Sequence, residues 1–134
     1  MTVRAVRGAI QVERDEPDVL RSRVALLITE ILRANGLEPD DLISMIFTAT
    51  SDLVSAFPAE AARELGLVDV PLMCARELDV EGGLPRTVRI LAHAETDRRQ
   101  ADVRHVYLGG AAVLRPDLAR PGGGTAPGSP GTGG

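Results

Sequence analysis

Residues 17–36, "PDVLRSRVALLITEILRANG", carry the clearest structural pattern in the chain. Large apolar residues recur there every three or four positions, the spacing of one face of an α-helix: Leu20, Val24, Leu27, Ile28, Ile31 and Leu32. Pro17 suits a first helical turn, with Asp15 and Glu16 before it as candidate caps. Asn35-Gly36 tolerate the left-handed backbone that ends helices. The stretch therefore predicts an amphipathic helix of about 18 residues.

Five stretches around this helix predict β-strands, because they combine strand length with apolar or β-branched residues: 2–12, 42–50, 70–75, 87–95 and 104–114. Gly8 falls inside the first, where glycine often marks a bulge or a close backbone approach. The last is predicted to kink or turn at Gly109-Gly110. Residues 38–42 predict a turn or short helix. "PAEAARELG" (58–66) predicts a short helix that begins near Pro58 and ends at Gly66.

This order of elements predicts an α/β (α+β) fold, a mixed five-stranded sheet with one long helix and short helices. One long helix covers only one face of such a sheet, so the other face needs a partner, and self-association is the simplest solution. We expect one domain over residues 1–118. In residues 119–134 the composition changes, and ten of the last fourteen positions are Gly or Pro, which predicts a disordered tail.

Composition restricts the partners and the compartment. The net charge of −4 argues against nucleic acid or an anionic membrane surface as a partner. No apolar run approaches the roughly 20 residues needed to cross a bilayer, and the N-terminus shows no signal-peptide pattern. The single cysteine, Cys74, cannot form an internal disulfide, so a cytoplasmic location is expected.

Residues 74–90, "CARELDVEGGLPRTVRI", place a thiol, carboxylates and three arginines around a double glycine. Arginine suits a carboxylate ligand because its planar guanidinium gives two parallel charge-assisted bonds. Four arginines in or beside predicted elements are candidates to line a groove between subunits: Arg7, Arg63, Arg89 and Arg115. From the residues alone, interpretations without a functional role remain open for three residues of the 74–90 stretch. Arg89 could face outward on a strand, Glu77 could be a surface carboxylate, and Cys74 a small buried residue.

Four stretches in order, 4–15, 48–65, 74–90 and 104–118, resemble the small trimeric monofunctional chorismate mutases with a pseudo-α/β-barrel fold. The resemblance covers residues 2–118. It implies a homotrimer with sites at subunit interfaces, chorismate as the substrate, and rearrangement to prephenate in aromatic amino acid biosynthesis. That unimolecular Claisen step needs no cofactor, metal or nucleophile, and neither His93 nor His105 is required by it.

The resemblance also implies roles for individual residues. Arg89 would direct its guanidinium at the ether oxygen whose bond breaks, and Glu77 would accept a hydrogen bond from the ring hydroxyl. Cys74 would lie beside that hydroxyl. Arg7 and Tyr107 would hold the side-chain carboxylate of the substrate.

The remaining implied roles concern the walls and the mouth of the site. Arg63 would come from a neighbouring subunit, Phe57 and Leu114 would form apolar walls, and Arg115 would add positive potential near the mouth. This chain departs from the family pattern at Glu60, where a basic residue is expected, so substrate capture could be weaker. The alternative function is a non-catalytic trimeric protein that binds small carboxylates.

Overall fold

The computed structural model describes residues 1–114, which form five strands, two α-helices and three short 3₁₀ turns. The strands and helices are β1 (Thr2–Gln11), α1 (Pro17–Asn35), β2 (Leu42–Ala49), α2 (Ala59–Glu64), β3 (Leu72–Arg76), β4 (Thr87–Thr96) and β5 (Val106–Leu108). The 3₁₀ turns are Pro39–Asp41, Gln100–Asp102 and Gly109–Leu114. Arg115 and the predicted 119–134 tail lie outside the described residues.

The strands form one mixed sheet in the order β3-β2-β4-β1-β5. The central strand β4 pairs antiparallel with β1 along its whole length and with β2 on its other side. The edge strands β3 and β5 run parallel to β2 and β1, respectively. The mixed five-stranded sheet, the long helix and the short helices are therefore confirmed.

Alternate residues of the central strands form the core with α1 and α2. In β4, Val88, Ile90, Ala92 and Ala94 are buried, and in β2 the same face carries Met45 and Phe47. The predicted apolar face of α1 is buried against this side. On the opposite side of the sheet, residues such as Ile46 and Leu91 are only half-buried. No helix within residues 1–114 covers that side.

Gly8 allows α1 to pack close to β1. A Cβ atom at Gly8 would lie 2.7 Å from Cδ1 of Ile31 and 3.2 Å from Cδ1 of Leu27. The β1–β4 pairing runs without interruption from Thr2↔Thr96 to Gln11↔Thr87. Of the two expectations for this glycine, the close approach is confirmed and the bulge is not present.

The start of α1 differs from the predicted capping. Glu16 holds the N-cap position, but its side chain does not cap the helix. The Asp15 carboxylate instead accepts hydrogen bonds from the backbone N–H groups of Val54 and Ser55, at 3.0 and 3.1 Å. Asp15 thus connects the β1–α1 loop to the segment after β2. These hydrogen-bond partners are about 40 residues away in the chain, so the local sequence does not reveal them.

The last predicted strand is shorter than expected. It was predicted over 104–114, but β5 contains only Val106–Leu108. Gly109 takes a left-handed φ of 59°, and the chain continues as the 3₁₀ turn Gly109–Leu114. The predicted turn at Gly109-Gly110 is confirmed, and the strand beyond it was wrong because a left-handed residue cannot continue a ladder.

We predict that Gly8→Ala destabilises the fold by about 1–3 kcal/mol, because the added methyl overpacks a filled interface. Thermal unfolding at fixed protein concentration measures the effect. The double variant Gly8→Ala/Ile31→Val removes the Cδ1 atom that the methyl would meet. It should be more stable than the sum of the two single changes implies. Strict additivity would contradict the close approach.

Candidate functional site

A row of side chains crosses the half-buried side of the sheet. Thr48 pairs with Arg89 across β2 and β4, Arg89 pairs with Ala9 across β4 and β1, and Ala9 pairs with Tyr107 on β5. Directly paired residues point to the same face of a sheet, and neighbouring strands lie about 4.8 Å apart. The small Ala9 side chain therefore leaves open space between Arg89 and Tyr107.

This open space is a cleft of about 610 Å³, within the usual range for small-molecule sites. Its charged lining residues are three arginines and one carboxylate: Arg7, Arg76, Arg89 and Glu77. Tyr107, Thr48, Ile46 and Leu91 also line it. The excess of guanidinium groups makes the cleft suited to an anion.

Arg89 and Glu77 form an ion pair on the wall of this cleft. The Arg89 Nε lies 3.1 Å from Oε1 and 3.0 Å from Oε2 of Glu77. The Glu77 side chain is 14% exposed and that of Arg89 is 36% exposed. Because the pair uses Nε, the two terminal nitrogens of Arg89 carry the donors that can reach a ligand.

Thr48 is a site residue that sequence reasoning missed. Its hydroxyl donates a hydrogen bond to the Glu77 carboxylate. The two residues are 29 positions apart. Thr48 lies on β2 and Glu77 follows the end of β3, so neither periodicity nor a local motif connects them. The available signal was the alternation of β2, which places Thr48 on the half-buried face of the sheet; only the β2–β4 register places it opposite Arg89.

Arg7 and Tyr107 line the other end of the cleft. Arg7 pairs with Leu91, two residues along the strand from the Arg89–Ala9 pair. Its backbone N–H donates to Nδ1 of His105 at 2.9 Å, and this bond holds the chain entering β5 against β1. His105 thereby fixes the strand that carries Tyr107, a structural role.

Cys74 and Phe57 lie in a second cleft, of about 510 Å³. Cys74 pairs with Phe47 in the parallel β2–β3 register and faces the helix side of the sheet, away from Arg89. Phe57 is 67% exposed. Within one chain, the structure therefore separates these two residues from Arg89 and Glu77. Arg76 borders both clefts, and its Nη1 donates to the carbonyls of Thr50 and Leu53 at 2.8 and 3.1 Å.

Comparison with known proteins identifies the family. The family model for chorismate mutase type I matches residues 3–118. The chain belongs to the chorismate mutase type I family.

Individual relatives agree with this family. The chain is 52% identical to chorismate mutase AroH of Thermus thermophilus over 117 residues, which are 87% of this chain and 96% of the relative. It is 42% identical to chorismate mutase AroH of Bacillus subtilis over 120 residues, 89% and 94% of the two chains. A solved chorismate mutase from Clostridium thermocellum superposes with a TM-score of 0.80 at 46% identity, covering 81% of this chain and 97% of the other. The protein is thus an isomerase acting on chorismate, and the non-catalytic alternative is not supported.

Two other residues predicted for the site line neither cleft, and a third is outside the described residues. Arg63 is exposed on α2 and lines neither cleft. Leu114 is half-buried at the end of the last 3₁₀ turn and lines neither cleft either. Arg115 is outside the described residues. The roles of these three residues stay predictions.

Glu60, at the position where the resemblance led us to expect a basic residue, lines the second cleft. Its carboxylate lies 3.5 Å from Nη1 of Arg21 on α1. Arg21 also contacts Asp18 at 2.6 Å and Glu64 at 3.5 Å. One guanidinium is therefore shared among three carboxylates, so it neutralises Glu60 only in part.

Residues 1–114 contain neither a candidate membrane-spanning helix nor a candidate metal site. No helix in this part of the chain has the length and apolar content to cross a bilayer. No group of three or more His, Cys, Asp or Glu side chains there could hold a metal ion.

Proposed function

We propose that this chorismate mutase rearranges chorismate to prephenate at sites formed between the subunits of a cytoplasmic homotrimer, with Arg89 and Glu77 as the catalytic pair. The observation that carries the proposal is the Arg89–Glu77 ion pair in a cleft that three arginines line. This arrangement offers fixed positive charge to a dicarboxylate and one carboxylate to its hydroxyl.

The reaction makes specific demands on the site. The substrate rearranges within itself, so no bond to the protein forms and no proton has to move. The site must hold the dicarboxylate in a compact conformer, which is a proximity effect. It must also meet the negative charge that develops on the ether oxygen as the C–O bond breaks. Removing one well-placed donor of this kind typically costs about 3–4 kcal/mol.

Arg89 is suited to the ether oxygen because it lines the cleft and Glu77 holds its Nε, which leaves its terminal nitrogens to donate to a ligand. Glu77 would accept the hydrogen bond of the ring hydroxyl, on the side of the substrate where positive charge spreads. Arg7 and Tyr107, at the other end of the cleft, would bind the side-chain carboxylate. One substrate would then be held at both ends, by Arg89 and Glu77 on one side and by Arg7 and Tyr107 on the other.

The separation of the two clefts supports an active site to which two subunits contribute. Cys74 and Phe57 lie on the helix side of the sheet, and Arg89 faces the other side. One substrate can contact both sets only if they come from different subunits. We propose that the second cleft of each subunit, with Phe57, Cys74 and the nearby Arg63, closes the first cleft of its neighbour. Leu114 and Arg115 would complete the apolar wall and the positive mouth.

We predict that Arg89→Ala lowers kcat by several orders of magnitude, because the ether oxygen loses its donor. Arg89→Lys should recover only part of the rate, since a lysine is a point charge without the planar fork. The formation of prephenate from chorismate measures both. Arg99→Ala is the matched control, because Arg99 is exposed, pairs with Asp102 and borders neither cleft. A near wild-type rate for Arg89→Ala would refute the assignment of this residue.

The assembly can be tested by mixing two inactive variants. Arg89→Ala damages the first cleft and Arg63→Ala damages the region of the second, so each alone should have low activity. In mixed trimers about a quarter of the interfaces combine an intact first cleft with an intact second cleft. We predict that refolding the two variants together restores about a quarter of the wild-type rate.

Sedimentation should first give a particle of three times the 14.2 kDa chain mass. A site contained in one subunit would give no recovery on mixing, and a monomer in sedimentation would exclude the shared site.

We predict that Glu60→Gln lowers KM for chorismate several-fold and leaves kcat nearly unchanged. The change removes a negative charge from the cleft that would face the dianion, and it does not touch the reacting atoms. Glu64→Gln is the matched control, because Glu64 lies on the same helix, contacts the same Arg21 and does not line the cleft. Equal effects of the two substitutions would mean that only the overall charge matters.

A further inference from the structure

We propose that Thr48 is a positioning residue for the rearrangement, because its hydroxyl holds the Glu77 carboxylate in place against Arg89. The inference rests on the proposed role of Glu77. It adds a residue that does not itself have to contact the substrate.

The anchoring of Glu77 shows why this residue needs support. Its backbone N–H donates to the carbonyl of Ala49 at 3.0 Å, one position past the end of β3. Beyond Glu77 the chain leaves the sheet and does not return to it until β4 begins at Thr87. The backbone is therefore fixed at one point, and the side chain depends on its own hydrogen bonds for its direction.

Two side chains provide those bonds. Arg89 donates through Nε, and Thr48 donates through its hydroxyl. Arg89 alone would leave two long, flexible side chains to position each other. Thr48 instead lies on β2, directly opposite Arg89 and between β3 and β4. As a β-branched residue it is stiff at χ1, so its hydroxyl is a rigid reference for the pair.

The chemical nature of the donor also matters. A second arginine at this position would hold Glu77 but would cancel its negative charge. A hydroxyl donates a hydrogen bond and carries no net charge. Thr48 thus fixes the carboxylate and preserves the charge that Glu77 offers to the substrate. Because Glu77 in turn holds the Arg89 Nε, the position of both members of the pair depends on this hydroxyl.

Thr48→Val tests the inference, because valine keeps the shape of threonine and cannot donate. We expect kcat to fall about 10- to 100-fold, the loss typical of a slightly misplaced catalytic group, with a much smaller change in KM. Thr48→Ser keeps the hydroxyl and should restore most of the rate. Ser44→Ala is the matched control, since Ser44 lies on the same strand, contacts His93 and does not line the cleft. A wild-type kcat for Thr48→Val would overturn the inference.

A double-mutant cycle separates positioning from a general effect on the fold. If Thr48 acts through Glu77, then Thr48→Val should lower kcat no further in a Glu77→Ala background. An equal further loss in that background would overturn the inference, and thermal unfolding would show whether the fold is the cause. If Thr48→Val does not fold, Thr48→Ala takes its place in the same cycle.

The cycle also distinguishes this inference from the proposed function. An unchanged kcat in Glu77→Ala alone would refute the proposed role of Glu77, and the inference with it. A large loss in Glu77→Ala together with an unchanged rate in Thr48→Val would refute only the positioning role.

Discussion

The two-residue alternation of β4 is the constraint on which the site depends. Val88 and Ile90 point into the core, and Arg89 between them points into the cleft. A slip of one residue in the pairing of β4 would bury the guanidinium and expose the apolar side chains. The packing of α1 and α2 on the other side of the sheet therefore also determines the direction of Arg89. Core stability and the geometry of the cleft are therefore coupled in one strand.

The charges of the molecule are arranged asymmetrically around this strand. The protein has a net charge of −4, but its first cleft has three arginines and one carboxylate. The second cleft combines Arg76 with the partly neutralised Glu60. A dianion would thus be attracted by a local field that opposes the overall charge, since focusing in a cleft depends on nearby groups more than on the total.

Sequence patterns identified the elements better than the site. The α1 stripe and the strands are local periodicities, so they could be predicted from neighbouring residues. The opposite directions of Cys74 and Glu77 were also predictable, because residues three apart on an extended chain face opposite sides. The expectation that Cys74 and Glu77 both contact one substrate hydroxyl can be correct only if the two residues come from different subunits. The length of β5 was mispredicted because Gly109 takes a left-handed φ of 59°, where the strand ends.

The sequence alone determined the elements, because these rest on local spacing, and through the family resemblance it supplied the candidate residues Arg89, Glu77, Arg7 and Tyr107. Only the tertiary structure decided that the hydroxyl of Thr48 meets Glu77, that Asp15 binds the loop after β2, and that Phe57 lies apart from Arg89. Such contacts join residues far apart in the chain. They follow from sheet order and register, which the packing of the whole domain selects and no short stretch encodes.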